Sequence, residues 1–114
     1  MSEIIYKIVP EDLWQAAKSV GFFEGSPVDR SDGFIHFSTG AQVRETAARH
    51  FAGQHGLILV AVAADRLGPA LRFEPSRGGA LFPHLYAAMP LSAVVWEKPM
   101  PLDGSGLHVI PELD

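Results

Sequence analysis

Leu57-Ile58-Leu59-Val60-Ala61-Val62-Ala63-Ala64 is apolar at every position, the longest such run in the chain. Both faces of this segment therefore ask to be buried, as in a central strand covered on each side. It is too short to span a membrane. Upstream, Ile4 to Val9 alternates and is β-branched, which reads as a second strand. Pro10 with Glu11 and Asp12 then starts a helix running to about Val20. Its apolar spacing is Leu13, Ala17 and Val20, and Gly21 stands at its C-terminal end. Glu24 to Asp32 is rich in Gly, Ser, Pro and Asp and reads as a loop. Phe34 to Ser38 reads as one strand leading into a second helix over about Gly40 to Ala52. Thr39 is its expected N-cap, Gln42 reaches back in a capping box, and Val43, Ala47 and Phe51 face inward.

Downstream of the central run, Ala70 to Glu74 reads as a short strand and Pro75 to Gly79 as a polar turn. Phe82 to Ala87 and Leu91 to Trp96, on either side of Met89-Pro90, read as a hairpin or two adjacent strands. Beyond Pro99 the chain is irregular. The expected class is α+β, with mixed or antiparallel sheets and two main helices.

At 114 residues the chain fits one domain, residues 1–114, with no repeat or linker that would divide it. The absence of cysteine excludes disulfides and thiolate metal sites, and makes cytoplasm the default expectation. The first residues lack the basic flank and apolar core of a secretion signal. A net charge of -4 argues against a long nucleic-acid partner, which needs clustered Lys and Arg. A small phosphorylated ligand needs only one or two cations and a helix N-terminus.

In Phe34-Ile35-His36-Phe37-Ser38 a period of two places Phe34, His36 and Ser38 on one face. His36 and Ser38 then stand before the expected start of the second helix, beside Thr39 and Gln42, where free N–H groups favour an anion. Phe82-Pro83-His84-Leu85-Tyr86 repeats the arrangement, with Phe82, His84 and Tyr86 on one face. Each segment pairs an imidazole with a hydroxyl two residues away, a combination suited to proton transfer and to hydrogen bonds with a ribose or carbonyl. The structural alternative for each is a histidine satisfied inside the core. Glu74 and Arg77, in Glu74-Pro75-Ser76-Arg77-Gly78-Gly79, offer a carboxylate for sugar hydroxyls and a cation for phosphate, and Asp29, Asp32 and Gly33 precede the first histidine strand, where such residues are also common in turns. No close-spaced ligand pair indicates a metal. Residues placed for a ligand add little to the core, so alanine at His36 or His84 is expected to leave the melting temperature nearly unchanged.

Taken in order, Ile5-Tyr6-Lys7-Ile8, Trp14, Asp32-Gly33-Phe34-Ile35-His36-Phe37-Ser38 with Gln42, and Phe82-Pro83-His84-Leu85-Tyr86 resemble the pattern of the bacterial DUF952 family. Members of that family look like small relatives of the ADP-ribosyltransferase fold, two abutting β-sheets with flanking helices and a cleft that holds NAD in the transferases. Phe34 to Ser38 also resembles the histidine strand of the RNA 2'-phosphotransferases. The resemblance implies a split β core and NAD, or an ADP-ribose-like nucleotide, as ligand. It makes His36 and Tyr86 the candidates for two of the three transferase positions, with Glu74, which precedes the Tyr86 strand, and Glu97 as the carboxylates available for the third. On that basis His36 and Ser38 would hold ribose or diphosphate, and Arg77 would clamp phosphate. His84 with Tyr86 would orient the base or move a proton. Two other functions fit the same residues: a non-catalytic module binding a metabolite or peptide, and a small hydrolase using His36 and His84 as acid and base.

Overall fold

The computed structural model describes residues 3–113, apart from the side chain of Arg77. In chain order its first half holds β1 (Ile4–Pro10), α1 (Glu11–Val20), β2 (Phe22–Phe23), α2 (Pro27–Asp32), β3 (Ile35–His36), β4 (Ser38–Thr39) and α3 (Val43–His50). The second half is β-rich, with β5 (Leu57–Ala63), β6 (Leu71–Pro75), β7 (Leu81–Leu85), β8 (Met89–Pro90) and β9 (Val94–Pro99) joined by short 3-10 turns. The class is α+β, every ladder is antiparallel, and there are three helices instead of two.

The apolar run becomes the centre of a four-stranded sheet in the order β4-β1-β5-β9. β1 and β5 pair along their whole length, Ile4 opposite Ala63 and Pro10 opposite Leu57. One side of this sheet buries Ile5, Val9, Val60 and Val62 with Trp14 and Ala17 of α1, and the other buries Tyr6, Ile8, Leu59 and Ala61 with Val43 and Ala47 of α3. That two-sided burial is why the strand carries no polar residue. Val20, expected on the inner face of α1, is exposed; the buried residues of the helix are Trp14 and Ala17, and Trp14 anchors it by donating its indole N–H to Glu97 Oε2 at 2.8 Å.

A second sheet has the order β3-β7-β6, and β2 pairs with β8. The expected single strand over Phe34 to Ser38 is broken at Phe37, because the chain passes there from one sheet to the other. Ile35 and His36 pair with β7, whereas Ser38 and Thr39 pair with β1. Phe37 spans the junction, its N–H donating to Pro83 O at 2.9 Å and its ring buried. The expected pairing of the last two strands is likewise corrected. β7 forms a hairpin with β6, while β9 joins β5 in the other sheet.

The stretch expected to be a loop contains α2. Ser26 and Asp29 form a capping box, with the Ser26 N–H donating to Asp29 Oδ2 at 2.8 Å, and Pro27 takes the first turn, where its missing N–H costs nothing. Gly25 leads in at φ 111, and a Cβ there would stand 2.8 Å from Asp29 Cβ. Gly33 ends the helix at φ 89 and turns the chain into β3. α3 starts at Val43, three residues later than expected, after a turn over 40–42. Thr39 is thus a strand residue and not the N-cap, although Gln42 does reach back to accept its N–H at 2.9 Å. No helix among the described residues is long and apolar enough to cross a membrane.

Candidate functional site

Where the two sheets part, a cleft of about 560 Å³ opens, within the usual size of a small-ligand site. His36, Asp32, Ser38, Phe82 and His84 all line it. His36 and His84 are direct cross-strand partners of β3 and β7, so their side chains share a face, and the ring centroids lie 5.6 Å apart. The Phe34 ring stacks on His84 at 4.1 Å and tilts against His36 at 4.6 Å, which limits how either imidazole can turn.

Each histidine is aimed by its own carboxylate. Asp29, fully buried, accepts the Ser26 N–H on Oδ2, the His36 N–H on Oδ1 at 3.1 Å, and the Lys7 ammonium at 2.9 to 3.0 Å. Its Oδ1 also lies 2.6 Å from His36 Nδ1. Burial alone would push this carboxyl up, but the His36 hydrogen bond, the Lys7 charge and the remaining donors outweigh it and hold the group far below the carboxylate range. Asp29 is therefore an anion, and the proton on the 2.6 Å bond belongs to His36 Nδ1. Burial lowers the Lys7 ammonium from its ordinary value, and the charge and hydrogen bond of Asp29 work against that shift. The second His36 nitrogen, Nε2, stands 2.9 Å from Asp32 Oδ2 at the half-exposed end of α2.

His84 is buried, and its Nδ1 lies 2.8 Å from Glu74 Oε1, which also accepts the Tyr86 hydroxyl at 2.6 Å. These two hydrogen bonds, that from Tyr86 first, hold Glu74 below its ordinary value, and the same contact raises Tyr86. An ionised Glu74 fixes the His84 proton on Nδ1. With Nδ1 turned to Glu74, Nε2 is the nitrogen left for a ligand, and His84 forms part of the cleft wall. A carboxylate behind Nδ1 and an open Nε2 are the parts of a histidine general base.

The remaining expected site residues fall elsewhere. Tyr86 lies behind His84, where it lines a separate hollow of about 210 Å³ with Phe34, Glu24 and Arg30. Glu74 reaches the cleft only through His84. Thr39 and Gln42 do not line the cleft. Both ends of the Gln42 amide are spent, Oε1 on the Thr39 N–H and Nε2 on Leu81 O at 2.8 Å, which ties the approach to α3 to the start of β7. The Arg77 side chain lies outside the described residues. Glu97 accepts from Trp14 and Lys18 and does not line the cleft. Among the described residues no group of three His, Asp or Glu side chains is arranged to hold a metal ion.

Of two further central residues, Lys7 is not among those the sequence singles out, and Asp29 enters there only as an acidic residue ahead of the first histidine strand. Each has a signal: Lys7 is the one charge inside an otherwise apolar strand, and Ser26-Pro27-Val28-Asp29 has capping-box spacing.

The family model for DUF952, a protein family of unknown function, matches residues 8–97. The chain belongs to the DUF952 family. The match takes in α2, both histidine strands and the β6–β7 hairpin. The X-ray structure of protein CC0527 from Caulobacter crescentus is 52% identical to this chain, covers 93% of both chains and superposes with a TM-score of 0.89. The solution NMR structure of CC0527 gives 53% identity, 91% coverage of this chain and 90% of that one, and a TM-score of 0.82. No curated protein matches the chain.

Proposed function

We propose that the cleft binds NAD or an ADP-ribose-like nucleotide and that its chemistry is ADP-ribosyl transfer or cleavage of a glycosidic bond. The observation that carries this reading is the Glu74–His84 pair, whose imidazole lines the cleft 5.6 Å, ring to ring, from that of His36. The division of the β core between two sheets, with the histidine strand crossing from one to the other, supports the likeness to the ADP-ribosyltransferase fold. In this reading His36 and Ser38 face the ribose or diphosphate, and His84 moves the proton. Of the two glutamates available to stabilise a cation-like sugar, Glu97 is committed to Trp14 and Lys18, so the part falls to Glu74 acting with His84. The chain would work in the cytoplasm, in keeping with its lack of cysteine.

The test is release of nicotinamide from NAD. The wild type is expected to release it, and Glu74→Gln to abolish release while leaving NAD affinity within a few-fold. Binding without release would favour a non-catalytic module. The juxtaposed imidazoles, each with its own carboxylate, also favour a hydrolase using His36 and His84 as acid and base. That reading predicts hydrolysis of a nucleotide phosphodiester or ester, with a bell-shaped pH profile and no nicotinamide.

A further inference from the structure

The cleft has two chemically different ends, and β1 measures the distance between them. Lys7, with Asp29, His36 and Ser38 around it, marks the polar end. Three residues on, Pro10 marks the other, about 10 Å away at the ordinary strand rise of ~3.3 Å. There the wall is Leu13 from α1 and Phe51 at the end of α3, and the segment after Phe51 is held beside Pro10 by the Glu11 N–H donating to Gly56 O at 2.8 Å. β4 pairs only with Ile5 and Tyr6, so beyond Tyr6 this edge of β1 has no strand partner among the described residues and the cleft runs along it.

Gln54 lies at this apolar end. It lines the cleft and is exposed, and its backbone N–H is used on Phe51 O at 2.9 Å. Its side-chain amide makes no hydrogen bond with another described residue, in contrast to Gln42. An uncommitted carboxamide presents one donor and one acceptor side by side, the complement of the N6 and N7 edge of adenine.

We propose that the Pro10, Leu13 and Phe51 end of the cleft is an adenine subsite in which Gln54 reads the base edge while the ribose extends towards His36 and His84. This rests on the nucleotide reading above and names the specificity-determining residue for it. An adenine ring would lie on Leu13 and Phe51 with its amino edge towards Gln54. Hypoxanthine has an oxygen where adenine has the amine, and so cannot accept and donate in the same pattern.

Calorimetric titration of the wild type, Gln54→Ala and Leu13→Ser with adenosine 5'-monophosphate, inosine 5'-monophosphate and ribose 5-phosphate tests it. The wild type is expected to prefer the adenine over the hypoxanthine nucleotide by about tenfold, the order of a bidentate base contact. Gln54→Ala should remove that preference without altering affinity for ribose 5-phosphate, and Leu13→Ser should weaken both nucleotides several-fold. If nucleotides bind but Gln54→Ala keeps the preference, or the wild type has none, the adenine subsite is overturned and the nucleotide reading survives. If neither nucleotide binds at millimolar concentration, both fail together.

Discussion

His36 and His84 face each other across the β3–β7 ladder, ring centroids 5.6 Å apart and planes inclined at 72°, each with its Nδ1 on a different carboxylate. The carboxylates come from separate elements, Asp29 from α2 and Glu74 from β6, so the two rings are oriented independently. His84, however, is buried, which revises the expectation that either histidine could be removed at no cost to the fold. Replacing it by Ala leaves Glu74 without one of its donors and is expected to cost about 1–3 kcal/mol. Phe37→Ala empties the junction between the sheets and is expected to cost more, about 3–5 kcal/mol. Urea unfolding of the two variants checks the order.

Asp29 sets an acid limit on stability. Its carboxyl stays ionised in the folded chain at a pH where an unfolded aspartate, near pKa ~3.9, already binds a proton. The unfolded state therefore binds more protons as the pH falls below about 4, and stability from this group, fully present above that value, declines through the acid range. Asp29→Asn should flatten this part of the profile. At neutral pH it should also cost about 3–5 kcal/mol, because Lys7 is left as a buried, unpaired charge. Unfolding free energies measured from about pH 2 to pH 7 in both proteins would show it.

Much of this arrangement could be read from the chain, and the parts that could not share a physical reason. β1, α1 and β5 announce themselves by local pattern, because each buries a face whose period is fixed by its own geometry. α2 was hidden by its composition: Gly25, Ser26, Pro27 and Asp29 are turn formers, and only their spacing marks a helix start. The break between β3 and β4 was hidden because a strand that changes sheets keeps its alternation. His36 and His84 stood out as residue types, but the Lys7–Asp29 bond spans 22 positions and the β5–β9 pairing spans more, and local pattern carries neither.

Gln42 separates a structural amide from a ligand contact. Gln42→Ala loses the bonds to Thr39 and Leu81 and is expected to lower stability by about 0.5–1.5 kcal/mol for each. Affinity for ADP-ribose should not change, since the side chain does not reach the cleft. Thermal unfolding and titration of the same variant give both numbers.

The central claim is that a nucleotide sits against both imidazoles, and NMR of the histidine side chains during titration with ADP-ribose tests it most directly. The ring signals of His36 and His84 should move together and saturate with one dissociation constant. If neither cleft ring responds at millimolar ADP-ribose, or the shifts gather elsewhere on the surface, the claim is contradicted.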